Sequence, residues 1–164
     1  MNIRGTFHFD AQREDVFRAI CDPGVLLEVI PGCDAVERVS ADAYEGRITL
    51  RLPGAVGSYR TSVRLVDADP PNCSGMEGSV EGAMGSIRGR AEFALDDTGA
   101  GTEMEYHGHG VIQGPLARLD SSFAERLAES LIAQGLRALD TRLANEAAQR
   151  IGPGGLRTAT EGSE

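Results

Sequence analysis

Positive charge is scarce in this chain of 164 residues. Lys and Arg number 16 against 25 Asp and Glu, a formal charge of −9. A protein that grips phosphate backbones needs clustered cations, so nucleic-acid binding is excluded as a main function. Adsorption to an anionic membrane through charge alone is excluded on the same ground. Long apolar runs are also missing. Gly24-Val25-Leu26-Leu27 is among the longest, far short of the ~20 residues a membrane helix needs. The first residues, Met1-Asn2-Ile3-Arg4-Gly5, contain no signal-peptide core, and a cytoplasmic location is expected. Only three cysteines occur, Cys21, Cys33 and Cys73, and none forms a Cys-x-x-Cys pair. That spacing argues against a disulfide framework or a zinc site and for buried reduced thiols. The glycine-rich stretch Gly82 to Gly89 lacks the Gly-Lys-Ser/Thr ending of a phosphate loop and precedes no helix.

What is present is dominated by one stretch, Leu116 to Arg150. Leu116, Leu119, Phe123, Leu127, Leu131, Ile132, Leu136, Leu139, Leu143 and Ala147 recur at steps of three and four, with charged residues between them. This predicts an amphipathic helix. Unbroken, it would be about 52 Å long, so an irregular start after Gly114-Pro115 or an overhanging end is expected. Upstream, Ile3 to Phe9 alternates as a half-buried strand. Asp10 stands where an N-cap belongs, ahead of a short helix through Val16, Phe17 and Ile20. Asp22-Pro23 opens a second short helix that ends at Pro31-Gly32.

From Cys33 the period becomes two. Strands are predicted near 35–39, 43–52, 58–68, 73–80, 87–95 and 102–112, separated by Asp, Pro, Gly and Asn turns. Short connections favour an antiparallel meander. The order of strand, two small helices, six strands and long helix gives an α+β two-layer domain over residues 1–150. Residues 151–164 turn to Gly, Pro, Thr, Glu and Ser, and a disordered polar tail is expected there.

Alternation also sorts the faces. Tyr44, Gly46, Ile48, Leu50 and Leu52 form one inward set, and Tyr59, Thr61, Val63 and Leu65 the next. Met76, Gly78 and Val80 follow, then Ile87, Gly89, Ala91, Phe93 and Leu95, and last Met104, Tyr106, Gly108, Gly110 and Ile112. The outward sets carry Arg88, Arg90, Glu92, Glu103, Glu105, His107 and His109, ordinary material for cross-strand ion pairs. Glycines at 5, 46, 78, 89, 108 and 110 fall on the inward sets. They predict strong curvature, and with it either a filled core or a cavity between sheet and helix.

Other chemistry is weakly supported. His107 and His109 share a face, but it is the outward one, with no third ligand cluster. Glu14 and Asp15 read as a solvated helix surface. No nucleophile stands out beside a base.

Asp22-Pro23, Leu27, Ile30-Pro31-Gly32-Cys33, Tyr44-Glu45-Gly46, Asp69-Pro70-Pro71, Gly82 to Gly89, Gly101 to Tyr106 and Gly114-Pro115-Leu116-Ala117 form an ordered set. Across about residues 1 to 145 this set resembles the carbon monoxide dehydrogenase CoxG family, within the START-like, Bet v 1-like helix-grip (SRPBCC) superfamily. The resemblance implies a curved antiparallel sheet of about seven strands gripping a long C-terminal helix, with a cavity between them. It implies a protein without catalysis of its own. Such a protein binds an apolar molecule of the quinone or lipid class and serves a molybdenum-containing CO dehydrogenase or related hydroxylase. No other cofactor is implied. Relatives are tied to membranes through an added C-terminal segment, whereas the tail here has no apolar or amphipathic stretch. In the cavity so implied, Val25, Leu26 and Val29 are expected to form a lid or mouth and Phe123, Leu127 and Leu131 the helical wall. Tyr59, Met76, Met84, Phe93 and Tyr106 would supply aromatic and soft contacts, the Tyr59 and Tyr106 hydroxyls acting as polar handles. Two alternatives stand beside this reading. One is a protein-binding maturation factor with a filled core. The other is a cyclase or hydrolase, which needs a titratable cluster that the inward sets do not contain.

Overall fold

Period-two alternation runs through most of the first 113 residues, and the chain answers it with one seven-stranded antiparallel sheet. The computed structural model describes residues 1–150, so the disordered tail expected over 151–164 lies outside the described residues. Strand β1 (Asn2–Phe9) is followed by helices α1 (Arg13–Ile20) and α2 (Pro23–Val29). Strands β2 (Cys33–Ser40), β3 (Ala43–Leu50), β4 (Gly57–Asp69), β5 (Cys73–Gly82), β6 (Gly85–Asp97) and β7 (Thr102–Gln113) form the meander. A 3₁₀ turn at Pro115–Arg118 leads into helix α3 (Ser121–Arg150). Consecutive strands from β2 to β7 pair with one another, and β1 closes against β7, giving the order β1-β7-β6-β5-β4-β3-β2. This is the α+β helix-grip architecture expected from the strand count and the face sorting.

Two local expectations differ from the structure. Asp10 does not cap α1. Gln12 precedes that helix in extended conformation without a side-chain cap, and the Asp10 amide donates to Asp140 Oδ1 of α3 at 3.2 Å. The Asp22 cap on α2 forms as read, accepting from the Gly24 amide at 2.9 Å, with Pro23 opening the helix.

The long stripe does not form one helix from Leu116. The chain makes a 3₁₀ turn, extends at Leu119 and restarts at Ser121. Asp120 explains the restart. Its carboxylate accepts from the Ser122 hydroxyl at 2.9 Å and from the Phe123 amide at 3.2 Å, satisfying a helix N-terminus that a continuous helix would not have exposed. Leu116 and Leu119 fit the helical period but pack elsewhere.

The same hydrogen bonds hold the Asp120 carboxyl below its ordinary value of 3.8. A carboxyl lowered by folding contributes stability that is present above its unfolded pKa and lost as pH falls through the folded one. The first turn of α3 is therefore expected to hold its helical circular dichroism down to pH 3.8 and to loosen only below it. Asp120→Ala should remove that turn's protection against hydrogen exchange at neutral pH. Unchanged exchange at Phe123 and Ala124 in the variant would refute the cap.

Helix α3 is tied to the sheet at two points along β1. The Asn2 amide donates to Glu125 Oε1 at 3.0 Å, and the Asp10 amide donates to Asp140 further along the helix. Arg142 pairs with Glu28 of α2 and with Glu146. Both Arg142 pairs are partly exposed, so each contributes about 1 kcal/mol at most.

Apolar packing divides into two separate cores. The larger joins Phe9, Val16, Phe17, Val25, Val29, Phe93, Leu95 and Met104 to Leu139 and Leu143 of α3. The smaller gathers Ala55, Tyr59 and Leu116, with Leu52, Met84 and Leu119 against them, at the end where the loops between β3 and β4 and between β5 and β6 meet the 3₁₀ turn.

Candidate functional site

The strand registers place the inward residues in rows that cross the sheet. One row reads Tyr44, Val63, Gly78, Gly89, Gly110 from β3 to β7. On one side of it lie Gly46, Thr61, Val80, Ile87 and Ile112. On the other lie Leu65, Met76, Ala91 and Gly108, with Ile3 completing the row on β1. Three neighbouring strands thus contribute glycine at the same level, and no side chain stands above the middle of the sheet. Bending and emptiness have one cause here. A Cβ on Gly89 would lie 2.4 Å from the His109 carbonyl oxygen and 3.0 Å from Gly110 Cα. The backbone approaches itself too closely for any side chain.

Above this glycine floor lies a cavity of about 480 Å³, within the 300–1,000 Å³ typical of small-molecule sites. Its border takes Met1 and Ile3 from β1, Ile20 from α1, Leu26 and Ile30 from α2, and inward residues of β2 to β7. Residues of both cores pack around it: Met76 belongs with the larger core, Ile48 and Val80 with the smaller. At the rim on α2, Ile30 is 36% exposed and its neighbour Leu27 43%. A broader depression of about 830 Å³ lies beside α1, bordered by Glu14, Arg18, Asp22 and Arg38 with Pro70 and Pro71. It is open to solvent and edged with charge, so it lacks the water exclusion a small-molecule site needs.

The cavity is nearly free of charge. Glu45, Glu77, Arg90 and His109 are at its border, but alternation turns their side chains to the opposite face of the sheet. On that face Arg90 pairs with Glu77 and Glu92, and His107 with Glu92. His109 Nδ1 lies 2.8 Å from Asn2 Oδ1. The two histidines are therefore surface groups in polar pairs. Among the described residues no group of three or more His, Cys, Asp or Glu side chains could hold a metal ion.

The residues singled out from the sequence fall into four places. Leu26 and Met76 border the cavity. Val25, Val29 and Phe93 are buried in the larger core, and Tyr106 packs against it. Tyr59 and Met84 belong to the smaller core. Phe123, Leu127 and Leu131 are half-buried on α3 and are not among the bordering residues. The two tyrosines differ as polar groups. Tyr59 donates its hydroxyl to the Ala55 carbonyl at 2.9 Å, tying down the loop between β3 and β4. Tyr106 covers Gly5, where an added Cβ would meet its hydroxyl at 2.4 Å. Burial, then the nearby Glu129 charge, pushes its phenol above the ordinary value.

Sequence reading missed Ile20, Ile30, Val36, Ile48, Thr61, Val63 and Ala91 at the border. Ile48, Thr61, Val63 and Ala91 belong to the inward sets; only the register, which aligns the glycines of different strands, separates cavity positions from core positions. The cysteines are half-buried rather than buried. Cys33 borders the cavity, and burial raises its thiol pKa.

A curved sheet, a long C-terminal helix and an apolar cavity between them are features shared with known proteins. The family model of the carbon monoxide dehydrogenase component CoxG matches residues 5–144. The chain belongs to the CoxG family. No curated protein sequence matches the chain. Among solved structures, a conserved protein from Geobacillus kaustophilus is 20% identical, with 88% of this chain and 96% of that one covered and a TM-score of 0.85. A START superfamily protein from Mycobacterium smegmatis is 10% identical, with 88% and 97% covered and a TM-score of 0.69. A protein from Chromobacterium violaceum is 18% identical, with 87% and 96% covered and a TM-score of 0.67. At these identities the likeness shows the START-like fold and nothing of the ligand. In this CoxG family member, no helix among the described residues is long and apolar enough to cross a membrane.

Proposed function

We propose that this chain is a non-catalytic carrier of a hydrophobic small molecule, of the quinone or lipid class, and an accessory to a molybdenum-containing CO dehydrogenase-like redox enzyme. The observation that carries the reading is the nearly charge-free aliphatic cavity of about 480 Å³ above the glycine floor. Burying apolar ligand area there contributes about 25 cal/mol per Å², reduced by the cost of immobilising the ligand. The absence of inward-facing acids and bases on the bordering strands supports a binding role over a reactive one, since general acid–base catalysis needs a titratable group within reach of the substrate. The tie to a redox enzyme rests on the family alone.

The test is mass spectrometry of a solvent extract of purified protein, beside a native spectrum of the same sample. A stoichiometric apolar molecule is expected in both. A protein that carries nothing and also refuses added quinones and lipids would instead favour a maturation factor acting through protein contacts. A second expectation uses Cys33 as a reporter at the cavity border. Ligand occupancy should slow its alkylation severalfold while leaving Cys73, on the far part of β5, unaffected. Equal slowing at both would mean a general change in stability. Leu127→Ala, on the half-buried face of α3, should leave ligand affinity within about twofold, because the lost side chain does not border the cavity.

A further inference from the structure

The cavity's polar groups can be counted, and all but one are already engaged. The Tyr44 hydroxyl donates to the Cys21 carbonyl at 2.8 Å and accepts from Arg38 at 3.1 Å. The Cys33 thiol is 3.5 Å from the Ala35 carbonyl oxygen. Ser79 borders the cavity but alternates onto the outer face, opposite Ser62 and Arg88. The Met1 ammonium donates to the Gly110 carbonyl at 3.0 Å. Thr61 is the exception. It sits on β4, facing inward between Gly46 and Val80. Its hydroxyl makes no hydrogen bond among the described residues, yet it is not sealed in the interior. The neighbouring glycine keeps it uncovered: a Cβ on Gly46 would stand 3.1 Å from Thr61 Oγ1. A single accessible hydroxyl in an aliphatic chamber is the arrangement that fixes one polar atom of an otherwise apolar ligand.

We propose that Thr61 is the polar anchor of the cavity, and that the ligand is an uncharged apolar molecule bearing a ketone, ester or alcohol oxygen. A threonine hydroxyl donates to a carbonyl or accepts from an alcohol, so either oxygen is served. An ionised carboxylate is not, because no inward-facing cation is free to receive it and an unpaired buried charge is strongly disfavoured. This inference rests on the carrier reading and narrows it, setting fatty-acid anions aside.

The experiment compares four probes of one chain length: methyl laurate, lauryl alcohol, dodecane and laurate. Each is titrated against the full chain at about pH 8 by displacement of an environment-sensitive dye, with native mass spectra for stoichiometry. In the wild-type protein the ester and the alcohol should bind at least tenfold tighter than laurate. Thr61→Val keeps the side-chain shape and removes the hydroxyl. It should weaken the ester and the alcohol about tenfold and leave dodecane unchanged, and Thr61→Ser should restore them. If laurate binds as tightly as the ester, or if Thr61→Val changes neither oxygenated probe, the anchor is wrong while the carrier reading stands. The comparison among probes in wild-type protein needs no variant to fold. If none of the four probes binds the wild-type protein and its extract contains no apolar molecule, both readings fall together.

Discussion

Val63→Trp is expected to abolish ligand binding, with affinity reduced at least a hundredfold, while the protein stays folded. Val63 faces inward beside Gly78, its Cγ2 3.4 Å from where a Cβ on that glycine would stand. The next residues along the row are Gly89 and Gly110. An indole at position 63 therefore meets no competing side chain on that side and lies across the glycine floor, in the volume assigned to the ligand. Enlarging a residue in a tightly packed core costs about 1–3 kcal/mol through strain. Enlarging one beside an open apolar space avoids that strain and adds buried surface, so Tm should be unchanged or slightly raised. Dye displacement and a thermal melt together check this. Wild-type affinity in a folded Val63→Trp protein would place the ligand outside the cavity.

The largest stability loss is expected from Gly89→Val. The clash there is with backbone atoms of β7, which cannot rotate aside as a flexible side chain would. About 3 kcal/mol is expected, at the upper end of overpacking costs, or a fall in Tm of roughly 10 °C for a chain of this size. Gly110→Ala is the matched control. Its added Cβ would meet Ile87 Cγ2 at 3.3 Å and Arg88 O at 3.4 Å, which small shifts relieve, and the expected loss is about 1 kcal/mol or less. Chemical denaturation of both variants separates a floor that must be bare from one that merely happens to be. Equal, small losses would show that the sheet can relax its bend at Gly89.

Most of the fold was legible before any coordinates, and the reason is visible in the strands. Alternation from β3 to β7 is regular enough that inward sets assigned by counting coincide with the rows that the registers align. Helix termini were legible only where one interaction decided them. Asp22 and Pro23 specify the start of α2 locally. Asp10 has the same local credentials but a distant competitor, Asp140, for its backbone amide. At Asp120 the period of three and four continues straight through a helix start, because Leu116 and Leu119 are required by the smaller core, not by α3. The site was legible in kind and not in detail. Inward glycines announced a cavity, but burial in a core and exposure to a cavity look alike in a run of apolar residues. Val25 and Leu26 are adjacent, yet the first is buried in the larger core and the second borders the cavity. Thr61 gave no signal, since an inward threonine on a strand is ordinary until its hydroxyl is seen without a partner.

The closure of β1 onto β7 has a consequence in time. Asn2 pairs with His109 and Phe9 with Thr102, so β1 leaves the ribosome long before its partner strand has been made. At synthesis rates of about 5–20 residues per second, that wait is roughly 5–20 seconds. During it, Ile3, Phe7 and Phe9 have no sheet to join, while β2 to β6 can zip together hairpin by hairpin as they emerge. Loop closure over so long a separation is the slow step in forming non-local sheets. The seam between β1 and β7 should therefore be the last to form and, in the nascent chain, the stretch most in need of a chaperone.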